Sequence, residues 1–170
     1  MSCINSYMTE ERNQIKRKIF NILIVDDDVD VADNLKQLLE LRGHLVTVVD
    51  DGMRCITHCK DKERHYDIVF MDYHMEGLDG AQVTEIVKDG NPCKTLIFAY
   101  TGDDSTKAIN DFKQVGMDGA IIKPFDISSI EFMMSRLELS IVLDATIIKN
   151  IIKKSCRSIL IFGQELKLVS

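Results

Sequence analysis

Residues 19–26, "IFNILIVD", form a short apolar, β-branched run that ends in charge, the pattern of a strand buried on both faces. The period then changes. In "VDVADNLKQLLELRG" (29–43), Val31, Leu35, Leu38, Leu39 and Leu41 recur at helical spacing and Gly43 ends the run. The alternation repeats along the chain. "HLVTVVD" (44–50) reads as a strand and "DGMRCITHCKDKER" (51–64) as a helix. "DIVFMD" (67–72) is a third strand, "YHMEGLDG" (73–80) a loop and "AQVTEIVKDG" (81–90) a helix. "TLIFAYTG" (95–102) is a strand running into a loop, and Ser105 can cap the helix "TKAINDFKQVG". "GAIIKPF" (119–125) is a fifth strand broken by Pro124, and Asp126 can cap "ISSIEFMMSRLEL".

Strict strand–helix alternation predicts an α/β fold: a five-stranded parallel sheet with helices on both faces and right-handed crossovers. Ligands of such sheets sit beyond the carboxyl ends of the strands. Strand one ends in Asp26, Asp27 and Asp28, strand three in Asp72, strand four in Thr101, and strand five in Lys123. The polar residues therefore fall on one rim.

Composition narrows the class. The chain has 170 residues, is 45% hydrophobic and 28% charged, and carries a net charge of −6, a balance that fits a globular core and argues against nucleic-acid binding over the whole surface. Residues 1–18 carry +2 and residues 145–170 carry +4, which leaves −12 on the body between them. No run of 18 apolar residues is present, and the start "MSCINSYMTEERNQIKRK" lacks the apolar core of a secretory signal. Cys3, Cys55, Cys59, Cys93 and Cys156 are odd in number and lack framework spacing, so reduced thiols in a cytoplasmic protein are expected.

Adjacent carboxylates repel, so the acidic triplet needs a cation, solvent or a helix N-terminus to be tolerated. Carboxylates clustered on a rim suit Mg²⁺, a hard ion that takes one or two of them together with phosphate and water. An Asp beside such an ion can attack phosphorus and form an aspartyl phosphate. That transfer needs positioning and charge cancellation, which Mg²⁺, a Lys ammonium and a Thr hydroxyl can supply.

The motifs "VDDD", "FMDYHMEGLDG", "AYTG" and "IIKPF", in this order on consecutive strand ends, resemble the receiver domain of two-component response regulators over residues 19–139. The resemblance implies a doubly wound, flavodoxin-like sheet of order 2-1-3-4-5 and a signalling module that takes a phosphoryl group from a histidine kinase or phosphotransfer protein and switches contacts with a downstream partner. It implies Asp72 as phosphoacceptor, Thr101 as switch hydroxyl and Lys123 as the phosphate-pairing lysine. Mg²⁺ would be held by Asp26, Asp27, Asp72 and the backbone carbonyl of His74, and Lys123–Pro124 would be a cis peptide bond. Four positions depart from or vary within the family pattern. Ala120 replaces the usual aromatic three residues before the lysine, and Glu76 stands where Pro is common. His74 and Asp103 occupy positions that tune hydrolysis of the aspartyl phosphate.

Plainer readings compete at several residues. Asp28 is expected to cap the first helix rather than bind metal. Cys55 and Cys59, at i and i+4, are expected to pack the core rather than form a metal site with His58. His74 reads as an exposed loop residue, and Met133 and Met134 as packing of the last helix. The rival function is a haloacid-dehalogenase-type phosphohydrolase using Asp26, because "DDD" contains Asp-x-Asp; it leaves Asp72 without a role and lacks the late acidic pair and cap insertion.

Outside residues 19–139 the sequence predicts a basic extension over 1–18 and a helical extension over 140–170. In the latter, Asp144 would cap and Gly163 would end a helix with Ile148, Ile152 and Ile159 on one face and Lys149, Lys153, Lys154 and Arg157 on another. Packing on the chain's own body, a homodimer contact or a partner contact would each cover the apolar stripe. Membrane-surface binding ranks lowest, since anionic lipid repels the acidic body.

Overall fold

The computed structural model describes residues 18–90, 95–125, 127–142 and 159–161. Strand β1 (Asn21–Val25) is the first apolar run, and its last four residues are buried. It leads into α1 (Val29–Leu41), whose N-cap is Asp28: the carboxylate accepts from the amides of Asp30 and Val31. Then follow β2 (Leu45–Val49), α2 (Gly52–Lys60), β3 (Ile68–Asp72), α3 (Gly80–Gly90) and β4 (Leu96–Thr101). The series continues with α4 (Thr106–Gln114), capped by Ser105, then β5 (Gly119–Ile122), α5 (Ile127–Val142) and β6 (Ile159–Ile161).

The sheet order is β2-β1-β3-β4-β5-β6, and the first five strands run parallel. The order reverses at β1, whose neighbours are β2 and β3, so the crevice that favours ligands lies between the ends of β1 and β3. Register aligns those ends: Val25 lies beside Met71, Asp72 beside Tyr100, and Thr101 beside Ile122.

Successive strand residues point to opposite faces, so each strand feeds two cores. Val25, Met71, Ala99 and Ala120 pack with Cys55 of α2, Val83 of α3 and Phe112 of α4. Ile24, Phe70, Tyr100 and Ile121 pack with Leu35 and Leu39 of α1 and with Ile130, Met133 and Met134 of α5. Cys55 is fully buried and Cys59 packs at the edge of its cluster, as expected of an apolar stripe; their sulfurs are 4.0 Å apart and both are free thiols.

Two expectations are corrected. The second helix stops at Lys60, short of residue 64, because the Asp61 carboxylate draws the Glu63 amide and the Arg64 guanidinium into a local turn that competes with helix. The helix expected over residues 144–163 does not include Ile159–Ile161, which is strand and pairs antiparallel with β5 in the register Ala120↔Leu160. The edge of β5 offers unpaired amides and carbonyls, and Ile-Leu-Ile suits a pleated surface better than a helix. The remaining tail expectations, with Asp126 as a cap and the basic extension over residues 1–17, lie outside the described residues.

Candidate functional site

Each strand in the middle of the sheet delivers one polar side chain to the same rim. Directly after β1, Asp26 is buried, with its Oδ1 accepting from the Asp28 amide at 2.9 Å and its Oδ2 from Lys123 Nζ at 2.8 Å. At the end of β3, Asp72 is 7% exposed and faces the same ammonium, Oδ1 to Nζ 3.3 Å. Lys123 follows β5 and is held at the rim by its own backbone: its amide donates to the Thr101 carbonyl at 2.7 Å, and the next peptide, Lys123–Pro124, is cis. The lysine thus bridges two buried acids from across the sheet.

Asp27 differs from both. It is exposed, no lysine or arginine pairs with it among the described residues, and its Oδ2 accepts the Glu76 amide at 3.3 Å. That bond draws the loop after β3 over the acidic pocket. Carboxylate oxygens of Asp26, Asp27 and Asp72 all lie within 4.8 Å of one another, a hard-oxygen donor set that fits Mg²⁺ better than a soft metal. Asp28 is not part of this set; its Oδ1 accepts both amides of the α1 cap.

Burial raises the Asp72 carboxyl above the ordinary carboxylate range; Lys123 pulls it back and the charge on Asp26 pushes it further up. A bound dication would relieve both acids. Thr101 is fully buried, and its hydroxyl oxygen accepts the Asp103 amide at 3.1 Å, which leaves the hydroxyl proton free to donate. The Asp103 carboxyl is held low, chiefly by the amide and hydroxyl of Ser105, with His74 adding a smaller electrostatic pull. His74 is exposed, with its ring edge-on to Tyr73 at 5.1 Å.

Glycines shape the loop that follows Asp72. Gly77 has φ +85°, a conformation that side chains resist. Gly80 opens α3 against the loop: a Cβ there would collide with the Asp72 carbonyl, and its amide donates to the Tyr73 carbonyl at 3.1 Å. The spacing "EGLDG" holds this signal, though a loop assignment alone does not expose it.

The sequence also does not reveal which residues surround the lysine and the loop. The Tyr100 ring lies under Lys123 Nζ at 4.2 Å from its centroid and 5.4 Å from the Phe125 ring. Burial, then the charges of Asp26, Asp72 and Asp28, push its phenol well above the ordinary range, and its hydroxyl has no hydrogen-bond partner among the described residues. On the other face Ala120 lies beside Ala99, and the aromatic bulk next to Asp72 comes from Tyr73, whose ring meets Phe112 edge-on at 4.7 Å.

Comparison with known proteins points one way. The sequence pattern of the response regulator receiver domain matches residues 22–134. The chain is 33% identical over 120 residues to the transcription factor SKN7 of Saccharomyces cerevisiae, covering 71% of this chain and 19% of that protein. It is 32% identical over 107 residues to the CAI-1 autoinducer sensor kinase/phosphatase CqsS of Vibrio cholerae, covering 62% of this chain and 15% of that protein. The chain thus spans about a fifth or less of these relatives. Among solved structures, the chemotaxis protein CheY4 of Vibrio cholerae superposes with a TM-score of 0.63 at 21% identity, covering 70% of this chain and 98% of that one. Nothing in these comparisons supports a haloacid-dehalogenase-type hydrolase, and among the described residues no helix is long and apolar enough to cross a membrane.

Proposed function

Because the chain belongs to the response regulator receiver family, we propose that Asp72 is its phosphoacceptor, charged by a histidine kinase or phosphotransfer protein. The observation that carries the assignment is the bridge of Lys123 Nζ to Asp26 at 2.8 Å and to Asp72 at 3.3 Å on the ligand-binding rim. Residues 19–139 form the receiver, with extensions on either side.

In this reading an Asp72 carboxylate oxygen attacks phosphorus, the donor's phosphorus–nitrogen bond breaks, and an acyl phosphate forms. Asp26, Asp27, Asp72 and the His74 carbonyl would hold Mg²⁺, which supplies charge neutralisation at the phosphoryl oxygens. Lys123 pairs with one of those oxygens once Asp72 is consumed, and the Thr101 hydroxyl donates to another. The chain thereby assists its own phosphorylation and, with water, its dephosphorylation. His74 and Asp103 flank the approach of that water. The product switches contacts with a protein partner.

The experiment is phosphoryl uptake from acetyl phosphate. Labelling should require Mg²⁺, disappear in Asp72→Asn and slow in Lys123→Ala and Thr101→Ala. Undiminished labelling of Asp72→Asn would refute the acceptor assignment.

A further inference from the structure

We propose that Tyr100 is a positioning residue that fixes the Lys123 ammonium over the acidic pocket through the face of its ring. The inference rests on the reading of Lys123 as the phosphate-pairing lysine. Lys123 side-chain exposure is 23%, and a lysine carries four flexible carbons, so nothing in its stem prevents the ammonium from swinging into solvent. Three contacts hold it: Asp26 Oδ2 at 2.8 Å, Asp72 Oδ1 at 3.3 Å, and the Tyr100 ring at 4.2 Å. The ring is itself packed in the core. It is 0% exposed, stands on β4 one residue before Thr101, and leans on Phe125 at 5.4 Å with the planes tilted by 58°.

The hydroxyl explains why the ring is the working part. It is buried without a hydrogen-bond partner among the described residues, which costs stability that a Leu or Phe would avoid. What an aromatic ring offers and Leu lacks is a negative π face for a cation, strongest where water is scarce. Of the three contacts, the one with Asp72 is given up when that carboxylate takes a phosphoryl group. The ring and Asp26 remain, and they keep the ammonium on the rim at the moment it must meet the new oxygens.

The test uses the full chain with three substitutions. Tyr100→Leu removes the ring, Tyr100→Phe keeps it, and Phe98→Leu loosens the same core face two residues earlier on β4. In the wild type the Lys123 Hε resonances should lie upfield from the ring current. Tyr100→Leu should abolish that shift and slow labelling by acetyl phosphate about tenfold, with Mg²⁺ affinity unchanged. Tyr100→Phe should keep the shift and stay within about twofold of the wild-type rate. A Tyr100→Phe rate as low as that of Tyr100→Leu overturns the inference, as does an equal slowing in Phe98→Leu. A wild-type chain that takes no label would strike the phosphoacceptor reading instead. The Hε shifts would then still decide the ring contact, and shifts unmoved in Tyr100→Leu would overturn it.

Discussion

Tyr73 meets Phe112 edge-on, with ring centroids 4.7 Å apart. The contact joins the residue after Asp72 to the last turn of α4, so a change in the loop after Asp72 has a packed route into that helix. It lies on the face where Ala120 leaves no ring to move. An edge-to-face pair is worth about 0.5–1.5 kcal/mol, enough to bias a two-state loop. Beryllofluoride with Mg²⁺ should shift amide resonances over residues 101–108 in the wild type. In Tyr73→Leu the shifts at residues 106–108 should shrink while those at Asp26 and Asp27 persist. Equal shifts in both proteins would exclude this route.

The acidic triplet divides its labour. Asp27→Ala removes an exposed carboxylate from the oxygen cluster and should weaken Mg²⁺ binding by more than about tenfold, the scale on which even outer partners of a metal act. Asp28→Ala should leave Mg²⁺ affinity within a factor of about two and cost about 1 kcal/mol of stability through the lost α1 cap. Calorimetric titration and thermal melts separate the two. Similar Mg²⁺ losses in both variants would show that the cap acid also binds metal.

His44 sets a pH dependence far from the site. It is buried, its Nδ1 accepts the Phe20 amide at 3.3 Å, and its Nε2 has no hydrogen-bond partner among the described residues. Burial first, and Arg42 second, lower its pKa below the ordinary 6.5. The unfolded chain therefore binds the proton before the folded one does, so stability rises with pH through the window beneath 6.5 and levels above it. Melting temperatures between pH 5 and 8 should show that slope in the wild type and a flatter one in His44→Asn, which retains an acceptor for Phe20. A slope that His44→Asn leaves unchanged would assign it to other groups.

The strand β6 should protect the edge it covers. Deleting residues 143–170 removes its pairing with Gly119–Ile121 and should lower stability by about 1–3 kcal/mol, a few net hydrogen bonds. Amide exchange at Gly119–Ile121 should quicken in the truncated chain. Unchanged exchange there would mean that the pairing does not persist in solution.

The legible parts of this protein are those written locally. Buried runs such as "ILIV" and "IVFMD" report a strand through their own residues, and Asp28 and Ser105 announce helix starts. The rim was legible because every parallel strand ends on the same side, so Asp26, Asp72, Thr101 and Lys123 had to share it. What required the fold was contact across the sheet. Neither the Tyr100 ring under Lys123 nor Tyr73 against Phe112 has any signature in spacing. The tail misled because Ile159 fits a helical stripe as well as a strand, and only the open edge of β5 decides between them.

The most direct test of the central claim is to locate the acyl phosphate. The full chain is labelled with acetyl phosphate and Mg²⁺, the acyl phosphate is reduced with borohydride to homoserine, and the peptides are sequenced by mass spectrometry. Homoserine at position 72, with aspartate intact at position 26, is the predicted result. Homoserine at position 26, or none at position 72 in a protein that has taken up phosphate, would contradict it.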